Sequence, residues 1–265
     1  MKAYDFEFDN KRLSEFGMIL CNFGGLKGLE SISDGAEITF NTVSVLDGSK
    51  HNLISTKYKN CLETTLQICK YNCAGDIQEI TETEHRELTK WLCRKVFLKF
   101  KILDEAHIDL YHEAFINVNK IEIDGILYGF ELVVRTNRPF SLKEPKIITI
   151  KNTSQNGKHS INDSSYEEGY IYPFTEIIIT ESGNLNIYNA IEDRNTHIAN
   201  CVAGEVIVMD YPVIQSSVSS HDIQNDFNWN FFRVANTFNN SRNDITISIP
   251  CIIKIKYSPI VKVGL

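Results

Sequence analysis

The sequence predicts a mainly β protein made of two antiparallel β-sandwich domains. Short apolar runs alternate with polar residues along most of the chain, and turn residues separate these runs at short intervals. One segment, in contrast, has the apolar period of a helix. At 265 residues and 43% hydrophobic content, the chain is long enough to bury at least one sizeable core.

The first half opens with strand signals. Tyr4, Phe6 and Phe8 share one face of a predicted strand, and Asp9-Asn10-Lys11 supplies the turn after it. The glycines at 24, 25 and 28 lack the Gly-Lys-Ser/Thr ending of a phosphate-binding loop, so they are interpreted as a connector. Further β signals follow: alternation at Ile38, Phe40 and Thr42, turn chemistry at 46–49, and the run ETTLQICKY.

One helix is predicted within TETEHRELTKWLCRKVF. Thr81 and Glu84 have the spacing of a capping box, and His85 is expected to be solvated. We expect Trp91 to anchor this helix to a sheet. The apolar stripe consists of Leu88, Trp91, Leu92 and Phe97.

A β-hairpin is predicted around Asp124-Gly125, a dipeptide suited to a two-residue turn with positive φ. Its strands carry the alternating residues Ile121, Ile123, Ile126, Tyr128, Phe130 and Leu132. Pro139 and Pro145 then bracket a linker, which divides the chain into a first domain at 1–139 and a second at 140–265.

Beyond Lys146 the sequence shows strand signals and no helix signal. The predicted strands are KIITI, YIYPFTEIIIT, LNIYNA, GEVIVMDYPVI and two C-terminal runs, separated by polar breaks that include EDRNTH and SSVSSHDIQND. The insert at 151–169 is predicted to be a mobile loop. Strands at this spacing are typical of an antiparallel sandwich.

Two C-terminal runs raise the question of a ligand platform. Apolar residues occupy every odd-numbered position from Ile245 to Tyr257, and this parity predicts one long strand with those residues buried. Pro250 is expected to mark a bend or an edge of the sheet. In FNWNFFRVANTF, parity places Phe227, Trp229 and Phe231 on one face, opposite that strand. We therefore expect these aromatics to be interior; a sugar-binding or base-stacking surface is the alternative.

Charge and composition exclude several classes of protein. The formal net charge of -7 provides no global basic field for nucleic acid, and no apolar run is long enough to span a bilayer. Acidic residues interrupt the N-terminal segment, so no signal peptide is predicted and synthesis is expected in a cytoplasm.

No catalytic, cofactor or metal site is predicted. The spacing of Cys61, Cys69 and Cys73 lacks paired zinc knuckles, and the seven cysteines are expected to be reduced and mostly buried. His107, Asp109 and His112 are close in sequence, but on a strand His112 would face away from the other two. Nucleophile-elbow and HExxH patterns are absent from the sequence.

Four motifs, in order, resemble the distal tail proteins of long-tailed phages. They are the opening set Phe6, Phe8, Asp9, Lys11, Ser14, Phe16, Gly17, Met18, Ile19 and Leu20; the helix pair Trp91 and Leu92; the junction from Asn137 to Phe140; and the ending from Asn243 to Gly264. The insert at 151–169 and the cysteine content depart from the pattern.

The resemblance implies a structural, non-enzymatic component of a virion tail tip. The first domain would assemble into a ring, usually a hexamer, between the tail tube protein and the tail-tip hub. The second would be a galectin-like sandwich that projects outward and is available to receptor-binding components. An acidic lumen through which DNA passes is a further hypothesis. The alternatives are a carbohydrate-binding module for cell-wall glycans and a glycan hydrolase with unidentified carboxylates.

Overall fold

The computed structural model describes residues 5–23, 37–44, 50–71, 76–105, 107–237 and 240–262. The chain divides into two compact units, Met1–Lys143 with Val261–Leu265, and Glu144–Ile260. The boundary after residue 139 stays a prediction. Several sequence-based interpretations fall outside the described residues: Tyr4, the glycines at 24, 25 and 28, the turn at 46–49, Cys73 and Phe238.

The first unit is an antiparallel sheet with a helix packed on its apolar face. The sheet follows the order β2-β1-β8-β9-β10-β6-β3; β7 pairs with β6 and β11 with β9, while β4 and β5 form a separate hairpin. The helix is α1 (Glu82–Leu92). The strands are β1 (Phe6–Phe8), β2 (Lys11–Arg12), β3 (Met18–Cys21), β4 (Ile38–Ser44), β5 (His51–Tyr58), β6 (Glu63–Tyr71), β7 (Ile77–Gln78), β8 (Leu98–Ile102), β9 (Leu110–Ile123), β10 (Ile126–Thr136) and β11 (Ser141–Lys143).

The two predicted turns of this unit that lie within the described residues are confirmed. Asp9 and Asn10 adopt positive φ between β1 and β2, and Asp124 and Gly125 do so between β9 and β10. A β-bulge between Leu127 and Gly129 interrupts the predicted alternation of β10. Gly129 allows a close approach of β6 there, since a Cβ would lie 2.5 Å from the carbonyl oxygen of Ile68.

The helix is confirmed with two corrections. Thr81 accepts a hydrogen bond from the Glu84 backbone at 3.4 Å, and Glu84 accepts one from the Thr81 backbone at 2.9 Å. The prediction for Phe97 was wrong: the helix ends at Leu92 and Phe97 is exposed beyond it. His85 is half-buried rather than solvated, because its ring stacks on Phe130 at 5.6 Å.

The second unit is a sandwich of two antiparallel sheets with the core between them. One sheet has the order β12-β22-β15-β18-β19 and the other β13-β21-β16-β17, while β14 pairs with β20. A short helix, α2 (Ile223–Asp226), precedes the aromatic run. The strands are β12 (Lys146–Asn152), β13 (Gly157–Asn162), β14 (Gly169–Ile171), β15 (Phe174–Ile179), β16 (Gly183–Asn189), β17 (Arg194–Cys201), β18 (Val206–Asp210), β19 (Val213–Ser216), β20 (Val234–Asn236), β21 (Arg242–Ile247) and β22 (Cys251–Tyr257). A final strand, β23 (Ile260–Val261), follows where the chain returns to the first unit.

The predicted fold class, mainly β with antiparallel sheets in two domains, is confirmed, but four local predictions for the second unit were wrong. The long C-terminal strand is two strands in different sheets, because the chain crosses between sheets around Pro250; its odd-numbered residues are nevertheless all buried. The insert at 151–169 contains β13, the break EDRNTH contains the start of β17, and α2 lies where no helix was predicted.

Candidate functional site

Among the described residues of the first unit, the hairpin of β4 and β5 has the most exposed apolar side chains. Phe40 is 62% exposed and Ile54 67% exposed, and Ile38, Val43 and Leu53 are exposed as well. None of these side chains belongs to the buried cluster of this unit. A two-stranded hairpin alone is marginally stable in water, so this one is expected to pack against another surface.

At its base, the hairpin contacts another segment of the first unit through Tyr58, whose ring meets Phe140 edge-to-face at 6.3 Å. Lys59 and Glu37 extend the pairing of β5 with β4 by one step: the Lys59 backbone donates to the Glu37 carbonyl at 2.8 Å, and their side chains form an exposed ion pair at 2.8 Å. The Tyr58–Phe140 contact leaves the apolar residues farther along the hairpin exposed.

Aromatic rings of the second unit form a continuous strip, defined as Tyr170, Tyr172, Tyr211, Phe231 and Trp229. Tyr172 stacks on Tyr211 at 4.2 Å, and Tyr211 meets Phe231 edge-to-face at 5.3 Å. Tyr170 and Trp229 occupy the two ends, 5.4 Å from Tyr172 and 6.4 Å from Phe231. The sequence patterns did not single out these three tyrosines; the available signal was that Tyr172 and Tyr211 directly precede prolines, in YIYP and DYP.

The aromatic run FNWNFF is not a strand, and the prediction that its rings are all interior was wrong for Trp229. Phe227, Phe231 and Phe232 are buried, but Trp229 is 55% exposed. Its φ of 59° interrupts the alternation that parity assumed.

The backbone of this run covers the edge of β17, while its buried phenylalanines join the core cluster that includes residues of β21 and β22. Phe227 forms an isolated bridge with Ile198. The Asn228 backbone donates to the His197 carbonyl at 3.1 Å, and the Asn228 side chain accepts from the His197 backbone at 3.2 Å. Side-chain amides therefore satisfy backbone groups that an edge strand would otherwise expose.

The main cluster of buried ionisable groups in the second unit surrounds Glu205. Its carboxylate accepts from Ser216 Oγ and the Val202 backbone, and lies 2.6 Å from His221 Nδ1. Burial by itself raises the pKa of Glu205, but these donors outweigh it and the pKa is lowered. The Glu205 and His221 side chains are almost fully enclosed, so the cluster joins the loop before α2 to β18 rather than facing a substrate.

The candidate metal residues are not brought together. Asp109 and His107 lie in a turn before β9, and the buried His112 side chain contacts Ser141 Oγ at 3.1 Å. Within the described ranges no three His, Cys, Asp or Glu side chains are placed to hold a metal ion. Cys69, Cys201 and Cys251 are buried, whereas Cys61 and Cys93 are exposed.

In the part of the chain that the structure describes, no helix is long and apolar enough to cross a membrane.

Residues of the opening motif and the helix pair meet in one aromatic cluster. The Trp91 ring stacks on Phe16 at 4.4 Å and on Phe6 at 5.8 Å, and its Nε1 donates to the Phe8 carbonyl at 2.9 Å. Trp91 therefore anchors α1 to β1, as predicted.

In the ending motif, the buried Asn243 side chain links β21 to Asn189 at 2.8 Å and to the Ala235 backbone at 2.8 Å.

Comparison with known families identifies the chain. One family model, described as a phage tail protein N-terminal domain, matches residues 1–138, and a second, described as a phage tail C-terminal domain, matches residues 140–257. The chain belongs to this phage tail protein family. No curated protein sequence matches it.

A solved structure shares the fold of this phage tail protein. The Dit protein of phage SPP1, described as a paradigm of the hub adsorption apparatus in phages that infect Gram-positive bacteria, superposes with a TM-score of 0.62 at 11% identity. The match covers 97% of this chain and 99% of the SPP1 protein. The resemblance to distal tail proteins that the motifs indicated is therefore confirmed.

Proposed function

We propose that this phage tail protein is a non-enzymatic component of the virion tail tip whose first unit assembles into a hexameric ring. The ring joins the tail tube protein to the tail-tip hub. The second unit, a galectin-like sandwich, faces outward toward the receptor-binding apparatus. The observation that carries this proposal is the exposed β4–β5 hairpin.

The hairpin fits a neighbouring copy of this chain. A closed ring requires each subunit to present one surface to a different surface of its neighbour. An arm that carries exposed apolar residues on both strands can supply such a surface. Burying each large apolar side chain contributes about 1.5–3 kcal/mol, so a few of these residues are enough to matter for assembly.

The experiment compares the oligomer of the wild-type protein with that of a hairpin variant. We expect ring-shaped particles by electron microscopy and a hexamer mass by light scattering. The double substitution Phe40→Ser and Ile54→Ser should shift the protein to monomers, because the exposed apolar contacts are lost. Ile147→Ser, at a 67% exposed position of the second unit, is the matched control and should leave the ring intact.

One result would contradict the ring itself, and a second would contradict the role of the hairpin in forming it. The first is a wild-type protein that stays monomeric at high concentration and binds neither the tube nor the hub protein. The second is an unchanged hexamer in the hairpin variant, with its circular dichroism spectrum also unchanged.

A further inference from the structure

The aromatic strip of the second unit presents three rings to solvent from three separate segments. Tyr170, Tyr211 and Trp229 are each more than half exposed, and they come from β14, the β18–β19 turn and the segment after α2. Half-buried Tyr172 and buried Phe231 connect them through ring contacts. The exposed rings are therefore held in fixed positions by packed ones.

Trp229 combines a strained backbone conformation with an exposed ring. Positive φ is an outlier for a bulky residue and costs on the order of 1–3 kcal/mol. Burial of the ring would offset this cost, but the ring is largely exposed. Its Nε1 donates to the Gln224 carbonyl at 3.2 Å, which fixes its orientation. Strain that keeps an aromatic ring in solvent is typical of a binding site.

Two arginines adjoin the strip, and both are held by contacts within the protein. Arg194 Nε donates to the Phe231 carbonyl at 3.3 Å. Arg233 lies over the Tyr170 ring, with its guanidinium carbon 3.8 Å from the centroid, and its Nε donates to Glu192 at 2.9 Å. Beside Trp229, Asn230 has an exposed side chain, whereas the Asn228 amide is bonded to the backbone of His197 and Asn195. The strip thus combines exposed aromatic faces with the Asn230 amide and an ion pair.

We infer that the aromatic strip binds a neutral polysaccharide, with pyranose rings stacked on Trp229 and Tyr211. The C–H groups on one face of a pyranose pack against an aromatic ring, and its hydroxyls need donors and acceptors such as the Asn230 amide. A neutral polymer fits because the Arg233 guanidinium is paired with Glu192 and the Arg194 Nε is bonded to the Phe231 carbonyl, so neither is directed at an anionic one. This inference is independent of the ring, since all of its residues belong to the second unit.

A protein partner is the competing occupant. The central part of a protein–protein interface is apolar and depleted of charged groups, with polar groups at the rim. In the strip, a charged guanidinium lies directly over the Tyr170 ring, and the exposed Asn230 side chain adjoins Trp229. That arrangement favours the polysaccharide, and a protein partner becomes one of the outcomes tested.

The test is binding of the purified full-length protein to an array of bacterial surface polysaccharides that includes neutral and anionic members. We expect wild-type protein to bind neutral members. Trp229→Ala and Tyr211→Ala should each weaken binding by roughly tenfold, and Trp229→Phe by less, because it keeps a stacking ring. The matched control is Tyr188→Ala, an exposed aromatic residue of the second unit outside the strip, which should bind like wild type.

Fluorescence distinguishes a direct contact from a structural effect. The chain has two tryptophans, of which Trp91 is buried and Trp229 exposed. A bound neutral polysaccharide should protect the fluorescence of wild type from acrylamide quenching, and this protection should be absent in Trp229→Phe. Binding that is unchanged in a folded Trp229→Ala variant would overturn the inference, as would an array with no bound member or with anionic members alone. Cross-linking of the strip to another tail protein, without polysaccharide binding, would establish the protein partner instead.

Discussion

At the scale of single residues, some buried polar side chains hold strands together by hydrogen bonds, and Asn243 is the clearest case. It is fully buried, and its side-chain oxygen accepts from Asn189 and from the Ala235 backbone, while its nitrogen donates to the Ala235 carbonyl at 2.9 Å. It therefore fastens β20 and β16 to β21. An asparagine can be fully satisfied in this way, and an alanine cannot replace any of these bonds.

We predict that Asn243→Ala destabilises the second unit by about 3 kcal/mol, because buried donors and acceptors lose their partners. Urea unfolding, followed by circular dichroism, measures the change. Asn195→Ala is the control; its side chain is exposed and donates to Asn186 at 3.0 Å, so its loss should cost under about 1 kcal/mol. Equal effects of the two substitutions would contradict the role assigned to Asn243.

His112 makes the stability of the first unit depend on pH. Burial, with a smaller effect of His107, lowers the pKa of His112 to about 4. In the unfolded chain the pKa is about 6.5, so the unfolded state takes up the proton first as the pH falls. The stability from a neutral His112 is therefore complete above about pH 6.5 and is lost progressively toward pH 4, by roughly 3 kcal/mol.

The measurement compares wild type with His112→Asn, which keeps a neutral polar group that does not titrate. Between pH 7 and pH 4, wild type should lose roughly 3 kcal/mol more unfolding free energy than the variant. Other titrating groups affect both proteins alike, so the difference isolates His112. Parallel pH profiles would show that His112 is not held neutral in the folded protein.

At the scale of elements, local signals predicted the elements whose causes are local. The capping box of Thr81 and Glu84 begins α1, and Asp124-Gly125 turns β9 into β10. In both cases the residues that specify the structure lie within a few positions of it. The alternation from Ile245 to Tyr257 also predicted burial correctly, because both strands on either side of Pro250 keep the same parity toward one core.

Elements fixed by distant contacts could not be predicted in the same way. Parity cannot show that β21 and β22 belong to different sheets, since a residue facing the core looks the same from either one. Nor could the polar break EDRNTH reveal β17, whose pairing depends on β16 and on the Asn228 side chain. The exposure of the β4–β5 hairpin could not be predicted either, because its apolar and polar residues alternate as in any half-buried strand.

At the scale of the whole molecule, the two units divide the work of the protein in our proposal. The hairpin that we assign to the ring belongs to the first unit, and the aromatic strip belongs to the second. The second unit has its own buried core between two sheets. A sandwich with its own core is expected to fold without the rest of the chain.

We predict that residues 144–260, expressed alone, fold to a monomer that does not form rings. Their apolar core is complete within the fragment, and a domain of this size should unfold in one cooperative transition with an enthalpy of roughly 80 kcal/mol. Calorimetry measures the transition and light scattering the mass. The fragment should also keep the polysaccharide binding inferred for the strip, because Tyr170, Tyr211 and Trp229 all lie within it. A broad, non-cooperative transition would show that the sandwich depends on the first unit, and a hexameric fragment would move the ring-forming surface from the hairpin to the second unit.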